Sequence, residues 1–453
     1  MMYSWSNIHS AFISRLFTEF KAQGIRYFVL RNYEELPEIN SGKDVDIVIA
    51  PGTYNKVNLI IKDTMQCFNI RYCQVSKFET MRCFYIMDNA KHFAIHIDII
   101  ENEVYKGFRY FNFEKLYANV IPYKKFFALN KAIDTVLLLA QNIIAYSNLK
   151  DKYRNTISQN YAQDKTIIDS EIRELFGVSE GNKVIDALQA NNFDRIVNNA
   201  KGLRKAFMLR TFKKHPLRTL CGNIKFLNDR FYRIVWCPKK LRQMIAVEAP
   251  DGAGKTTFIN ALIEELKNYY VCDERRFCVH HFRPEILPNI GAVGAKTKLM
   301  KQDTNFTVPH RKKPAGFISS LIRMTYYWLD YLFGVPVLLR KEVHYEKYSI
   351  YDRYIYDFLI DPARSRISLP RWLRLCFVKT VVQPQIVFVL KASADVIYAR
   401  KQELTKEEID RQLVEFDRLK SLSSVVFINA ERPIKEMVDD AIECIMNRFC
   451  ILN

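Results

Sequence analysis

The 453 residues carry 68 Lys and Arg against 49 Asp and Glu, and 49% of them are hydrophobic. A chain of this length holds about three domains at roughly 150 residues each, and its apolar content excludes wholesale disorder. The formal charge of +19 is strongly local, because residues 201–242 hold thirteen Lys and Arg against the single acid Asp229.

The opening segment MMYSWSNIHSAFISRLF has no basic stretch ahead of its apolar residues, so no secretory signal is read there. The ten cysteines form no C-x-x-C pair and no zinc-like Cys/His spacing. Reduced thiols in a cytoplasmic protein are therefore expected. The longest weakly charged stretch, from Pro314 to Leu339, is broken by Arg323 and Asp330 and is excluded as a membrane span.

A first region, residues 1–125, mixes strands and helices. IRYFVL (25–30), DVDIVIA (44–50), FYIMD (84–88) and HFAIHIDII (92–100) are β-branched and aromatic runs bounded by turn residues, which predicts strands. Asp44 and Asp46 are two apart on one of them, so both carboxylates project from one face. Asp98, on an expected neighbour strand, adds a third, and His96 shares its face. Three convergent carboxylates suit two-metal handling of a nucleotide's phosphates; the alternative is a set of solvent-side acids at a strand end. The spacing resembles the nucleotidyltransferase fold shared by aminoglycoside adenylyltransferases and DNA polymerase β. Where that fold has Gly-Ser upstream of the first Asp, this chain has LRNYEELP (30–37), and LRNYE followed by D-x-D resembles a variant family of its own. Arg31 and Asn32 stand where triphosphate contacts are needed.

A second region, 126–242, reads as mostly helical, with patterns such as AIDTVLLLAQNIIAYSNL at 132–149. It ends in the basic segment, where KGLRKAFMLRTFKKHPLRTL predicts an amphipathic helix broken near Pro216. A solvated inter-domain helix burying its apolar face is the favoured reading. An anionic membrane surface is the second, each basic residue adding about 1 kcal/mol there. Nucleic acid, bound by counterion release, is the least expected partner.

The third region, 243–453, alternates strand and helix. QMIAVEA, CVHHF, KYSIYDR, QIVFVLKA and SSVVFINA are short apolar runs, and TTFINALIEELKNYY is an amphipathic helix. Ser393 opens one later helix, and Thr405 with Glu408 forms a capping box for another. Such alternation predicts a mostly parallel sheet covered by helices.

Between the first of these strands and its helix lies A249-P-D-G-A-G-K-T-T257. Gly252 and Gly254 let the backbone curl around an anion. Backbone N–H groups of Asp251, Gly252, Ala253 and Gly254 line such a loop, and the following helix N-terminus favours negative charge. Lys255 reaches β- and γ-phosphates, and the hydroxyl of Thr256, with Thr257 beside it, suits Mg²⁺. Ala249 replaces the first glycine of the strict G-x-x-x-x-G-K-[ST] pattern, a small cost if its φ is negative.

The loop resembles that of the thymidylate kinase family of P-loop kinases, and further residues are similar in order over about 200 positions. The resemblance implies ATP and Mg²⁺. It implies that Asp352, in YDRY (351–354), serves the magnesium and phosphate site. Arg353 would hold the acceptor phosphate, Arg283 would lie against the acceptor, and Asp251 would contact its sugar. In ADVIYARKQELTKEEIDRQLVEFDRL (394–419), Arg400 and Arg411 would close over the phosphates as a lid. Phosphoryl transfer spreads negative charge, so cations must converge on it.

After YDRY the chain continues IYDFLIDPARSR, with Asp357, Asp361, Arg364 and Arg366, where the family has a thymine-facing stretch. D-R-Y-x-x-D and D-P-x-R-x-R resemble a thymidylate-kinase-like subgroup tied to bacterial surface-polysaccharide loci. Asp357 and Arg364 thus become candidate acceptor contacts for a phosphorylated or polyhydroxyl compound. His280 and His281, adjacent on a strand, face opposite ways and do not share one ion; core or supporting roles are expected for them. TYYWLDYLF (325–333) reads as a packed helix on the acceptor side.

The expected architecture is α/β throughout: an N-terminal α+β nucleotidyltransferase-like domain, a helical middle, and a C-terminal P-loop kinase with a parallel sheet flanked by helices. The expected activity is phosphoryl transfer from ATP to a nucleoside monophosphate or carbohydrate acceptor, with a second nucleotidyltransferase site metallated by Asp44, Asp46 and Asp98. A non-catalytic ATP-binding scaffold and a toxin- or phage-defence-type nucleotidyltransferase are the alternatives. A homodimer and peripheral attachment at the inner membrane face complete the expectations.

Overall fold

A computed structural model describes residues 5–40, 44–270, 276–288, 315–421 and 424–450. Ser423 and Pro314, at the starts of two expected segments, lie outside the described residues. Two compact units result, the first running to Arg230 and the second starting at Phe231, with Tyr269 and Tyr270 belonging to the first.

In the first unit a seven-stranded mixed sheet forms from β1 (Tyr27–Val29), β2 (Asp44–Ile49), β3 (Tyr72–Lys77), β4 (Met81–Asp88), β5 (Phe93–Ile100), β8 (Val120–Tyr123) and β9 (Phe126–Leu129). Its order is β3-β4-β5-β2-β1-β9-β8, and β6 (Val104–Tyr105) with β7 (Phe108–Arg109) makes a separate hairpin. Alternation sorts the side chains. Tyr27, Val29, Ile47, Ile49, Ile97 and Ile99 pack under the helices Asn7–Ala22 and Tyr54–Cys67. Phe28, Leu30, Val48 and Ile100 face the opposite way and share one core with the helices of residues 131–214. Each fully buried Ile or Leu contributes about 1.5–3 kcal/mol, which is what holds those helices to the sheet. The helix expected over 132–149 runs Lys131–Gln141 and gives way to one π-turn at Asn142–Tyr146 that stops at Ser147, φ 52°.

The second unit has five strands: β10 (Met244–Glu248), β11 (Phe277–His281), β12 (Tyr348–Asp352), β13 (Ile386–Lys391) and β14 (Val425–Asn429). All neighbours are parallel and the order is β11-β12-β10-β13-β14. Helices flank the sheet, and its strands are apolar over nearly their whole length, as parallel strands covered on both faces must be. Connections leave β10 in one direction toward β11 and β12 and in the other toward β13 and β14. The crevice at its C-terminal end is therefore the switch point where such sheets bind ligands. No described helix is long and apolar enough to cross a membrane.

Of the two expected caps, Thr405 accepts from the Glu408 amide at 3.3 Å, but the Glu408 carboxylate turns to Arg411 and Gln412 rather than back to Thr405. Ser393 does occupy an N-cap position, yet its hydroxyl donates to Glu431 instead of accepting from its own helix.

Candidate functional site

The loop leaving β10 carries Gly252 at φ 91° and Gly254 at φ 85°, and the helix Lys255–Tyr270 begins directly after it. Ala249 is buried and has no positive φ, so its Cβ is accommodated where the strict motif has glycine. A Cβ added at Gly252 would lie 2.9 Å from the Lys401 Cβ and 3.2 Å from the Ile397 carbonyl oxygen; one added at Gly254 meets nothing within 4 Å. Gly252 is thus required by the segment of residues 397–401 packed on it. The amides of Gly254, Lys255, Thr256 and Thr257 have no acceptor within the helix, whose first internal bond is Phe258 N–H to Gly254 at 3.0 Å. Four donors, a helix dipole and an open approach fit a polyphosphate.

Asp352 ends β12 in register with Val247 and His281. Its Oδ1 pairs with Lys255 Nζ at 3.1 Å, and its Oδ2 with His281 Nδ1 at 3.2 Å. His280 faces the other way, onto Glu342 at 2.6 Å and the Tyr351 ring at 4.8 Å. With Thr256 exposed at the helix start, Asp352 and Thr256 are the oxygen donors here that suit Mg²⁺.

Arg353 follows at φ 70°, its N–H bonded to the Val247 carbonyl at 3.0 Å. The guanidinium donates to Asp357 Oδ1 at 2.8 Å and to Asp251. Arg364 donates to the other oxygen of Asp251 and to Asp361 at 3.4 Å. Asp251 therefore ties two guanidiniums together. Burial works against the Arg353 charge, but Asp357, Asp251 and Glu248 outweigh it and raise its pKa. Burial likewise pushes Asp251 up, and Arg353, Arg364 and Lys255 bring it below the usual carboxylate range. Beneath them Glu248 is fully buried; one oxygen accepts the Tyr354 N–H at 2.7 Å and the other has no hydrogen-bond partner. Burial, with Asp357 nearby, pushes Glu248 up to about 8.

The remaining sequence candidates of this unit are held by other partners. Arg283 is buried and donates to Asp330 at 3.2 Å, while Asp330 also accepts the amides of Glu285 and Leu287. Its guanidinium lies 5.7 Å from the Tyr327 ring, within the helix Phe317–His344 that contains the aromatic run. Arg400 donates to the Ala430 carbonyl at 3.1 Å. Arg411 chelates Glu408 and reaches the Ile360 carbonyl at 2.9 Å. Both Arg400 and Arg411 are thus engaged by the protein itself.

In the first unit Asp46 lies beside Asp98, and Asp44 beside His96, across the parallel β2–β5 pair. One carboxylate oxygen from each of Asp44, Asp46 and Asp98 falls within 4.8 Å of the others. An all-carboxylate set suits Mg²⁺ or Mn²⁺. Arg31 Nε pairs with Asp46 at 2.9 Å and its NH1 with Gln141 at 2.6 Å; Asn32 beside it takes φ 57°. Burial raises Asp46, with Arg31 opposing; at Asp98 burial acts the same way but His96, at 2.9 Å, outweighs it and the pKa falls. Glu103 and Asp134 complete the surroundings, each pushed up to about 7 by burial. Cys83, opposite Asp98 on β4, forms a second trio with His96 and Asp98. Sequence reasoning missed Cys83, Glu103, Asp134 and Glu248; only strand register and packing bring them to these places.

The second unit is an α/β domain of P-loop kinase-like fold, defined by its strand order and by the glycine loop at the end of β10. No family model and no curated protein matches the sequence. Solved structures do match, among them a thymidylate kinase from Ehrlichia chaffeensis, which aligns over 45% of this chain and 98% of its own at 16% identity and a TM-score of 0.30.

Proposed function

We propose that the chain is an ATP-dependent phosphotransferase whose second unit hands a γ-phosphoryl group to a phosphorylated or polyhydroxyl acceptor, either a nucleoside monophosphate or a sugar-containing compound of surface-glycan assembly. The observation that carries this reading is a convergence at one sheet end: the Gly252–Thr257 loop, Lys255 against Asp352 at 3.1 Å, and Arg353 between Asp251 and Asp357. The loop amides and Lys255 bind the β- and γ-phosphates. Thr256 and Asp352 would hold magnesium, which would supply positive charge to the phosphates. Asp357 fixes the plane of Arg353, so that its fork meets an acceptor phosphate with both N–H groups. Arg364 joins it, and Asp251 then accepts from an acceptor hydroxyl. The run of Asp361, Arg364 and Arg366 supports a polar acceptor over a pyrimidine base. Arg400 and Arg411 join the phosphates only once the lid residues 394–419 exchange their present acceptors.

A second reading concerns the first unit. The trio Asp44, Asp46 and Asp98 supports a metal-dependent nucleotidyltransferase site, with Arg31 as its counter-cation. The experiment for both follows ADP and pyrophosphate release from ATP across nucleotides, sugar phosphates and glycolipid extracts. Acceptor-stimulated ADP release that vanishes in Lys255→Ala supports the kinase; pyrophosphate release that vanishes in Asp44→Ala/Asp46→Ala supports the second site. ATP binding without acceptor-dependent turnover would leave an ATP-binding scaffold instead.

A further inference from the structure

Away from both candidate sites, the first unit holds a cluster of cations that neither site uses. A cavity of about 80 Å³ is lined by Arg109 on β7, by Lys115 of the short helix Phe113–Tyr117, by Arg210 and Lys214 near the end of the helix Ala200–Lys214, by His215 between the helices, and by Arg218 on the next helix, Pro216–Phe231. These elements are pinned together by a backbone approach. A Cβ at Gly107, in the β6–β7 turn, would lie 2.3 Å from the Gly222 carbonyl carbon, so only glycine at 107 lets the hairpin seat on the helix. That seating brings Arg109 to Arg218.

The acids nearby are already taken. Glu174 accepts from Lys115 at 2.8 Å and lies 3.7 Å from Lys214, and Glu171 accepts from Lys115 at 2.5 Å. Arg210 spends Nε on the Glu174 carbonyl oxygen at 2.7 Å. Among the described residues, Arg109 and Arg218 have no carboxylate partner. Burial lowers the pKa of both, and Arg218 adds to the lowering at Arg109. His215 is lowered by burial first and then by Arg218, Lys214 and Arg109. Arg109 and His215 are lowered both by burial and by the cations around them, whereas Arg218 is lowered by burial alone. Folding gathers such a set at a cost unless an anion offsets it.

We propose that this cavity is a binding site for a phosphate group, gripped by the guanidiniums of Arg109 and Arg218 with Lys214 and His215 at its rim. The volume of about 80 Å³ matches on the order of two to three waters, the scale of one tetrahedral oxyanion. Two planar guanidiniums match phosphate geometry through paired N–H donors. The same group arrives either on a soluble phosphorylated compound or on a lipid headgroup. The second source is included because Leu217, Leu220, Ile224 and Leu227 of the Arg218 helix are all exposed, an apolar stripe at helical spacing.

The test uses full-length protein in a Lys255→Ala background, which weakens phosphate binding at the glycine loop equally in the two proteins compared. Sodium phosphate is titrated calorimetrically at constant ionic strength into this parent and into Arg109→Gln/Arg218→Gln. One site is expected in the parent and at least a tenfold loss of affinity in the variant. Phosphate should raise the parent's melting temperature and leave the variant's unmoved. Without phosphate the variant should melt at or above the parent, because a repelling pair has been removed; this guards against mistaking unfolding for lost binding. His215→Gln, at an exposed position, should weaken phosphate binding to a smaller degree. Cosedimentation with phosphatidic acid/phosphatidylcholine vesicles then separates the sources: binding lost in Arg109→Gln/Arg218→Gln assigns the headgroup, and indifference to vesicles with phosphate binding intact assigns a soluble compound. Equal phosphate affinity in parent and double variant, or equal stabilisation by chloride at the same ionic strength, overturns the proposal.

Discussion

Glu248 offers the sharpest quantitative test of the second unit, since it is fully buried under Arg353 and keeps one oxygen without a hydrogen-bond partner. Burial raises its carboxyl from 4.5 to about 8. In the folded chain it is thus protonated at neutral pH, while in the unfolded chain it is ionised. The unfolded state binds fewer protons in that window, so stability falls as pH rises from about 4.5 to about 8 and then levels off. At pH 7 the gap from 4.5 spans about 2.5 units, and at roughly 1.4 kcal/mol per unit the cost is on the order of 3 kcal/mol. Glu248→Gln removes the titration and retains a carbonyl oxygen for the Tyr354 N–H. Its stability relative to wild type should therefore climb by about 2–3 kcal/mol between pH 5 and pH 7 and go on rising to about pH 8. Urea unfolding of the full chain, followed by tryptophan fluorescence at pH 5 to 8.5, measures this; Trp236, Trp328 and Trp372 all lie in the second unit. Taking the difference between the two proteins cancels the contributions of Glu79, Glu103 and Asp134, which are also pushed up to about 7. Wild-type and variant curves that run parallel across the range would refute the reasoning.

Lys255→Ala should reduce acceptor-stimulated ADP release by at least about 10²–10³-fold, the scale of losing one preorganised charge in the transition state, read in a coupled assay. Gly252→Ala should cost about 1–3 kcal/mol because its Cβ meets Lys401 and Ile397 at a positive φ. Gly254→Ala, where no atom is met, should lose less, and differential denaturation compares the two. Asp330→Ala strips a buried carboxylate from Arg283 and from the amides of Glu285 and Leu287; unfolding free energy should drop by about 3–5 kcal/mol. Asp46→Asn or Asp98→Asn should weaken Mn²⁺ binding at the first unit by at least about a hundredfold, since even indirect partners of a metal cost 10–100-fold, as electron paramagnetic resonance titration reads.

Much of this molecule is legible locally. A short apolar run predicts a strand whatever packs on it, and all five strands of the second sheet lie within runs read from the sequence, give or take a residue. The glycine loop is equally local, because positive φ at Gly252 and Gly254, the helix start and the Lys255 ammonium all sit within a few residues of each other. The D-x-D spacing likewise fixes that Asp44 and Asp46 share a face, since side chains alternate along any strand. By contrast, β3 and the hairpins β6–β7 and β8–β9 carry weaker alternation, and they exist because a neighbour strand offers its edge.

Partnership is what the sequence could not contain. Asp98 reaches Asp46, and Cys83 reaches Asp98, only through inter-strand register. His281 reaches Asp352 because β11 and β12 are paired. The partner of Arg283 is equally hidden in the sequence, for the helix Phe317–His344 supplies Asp330 to it. Residue identity and spacing alone determined the loop, the strand faces and the local excess of charge. Tertiary structure alone decided which charges meet: two guanidiniums on Asp251, one unpartnered oxygen on Glu248, and Arg109 against Arg218. The physical reason is that a hydrogen bond or ion pair depends on distances of a few ångströms between residues about a hundred positions apart, and only a closed fold sets those distances.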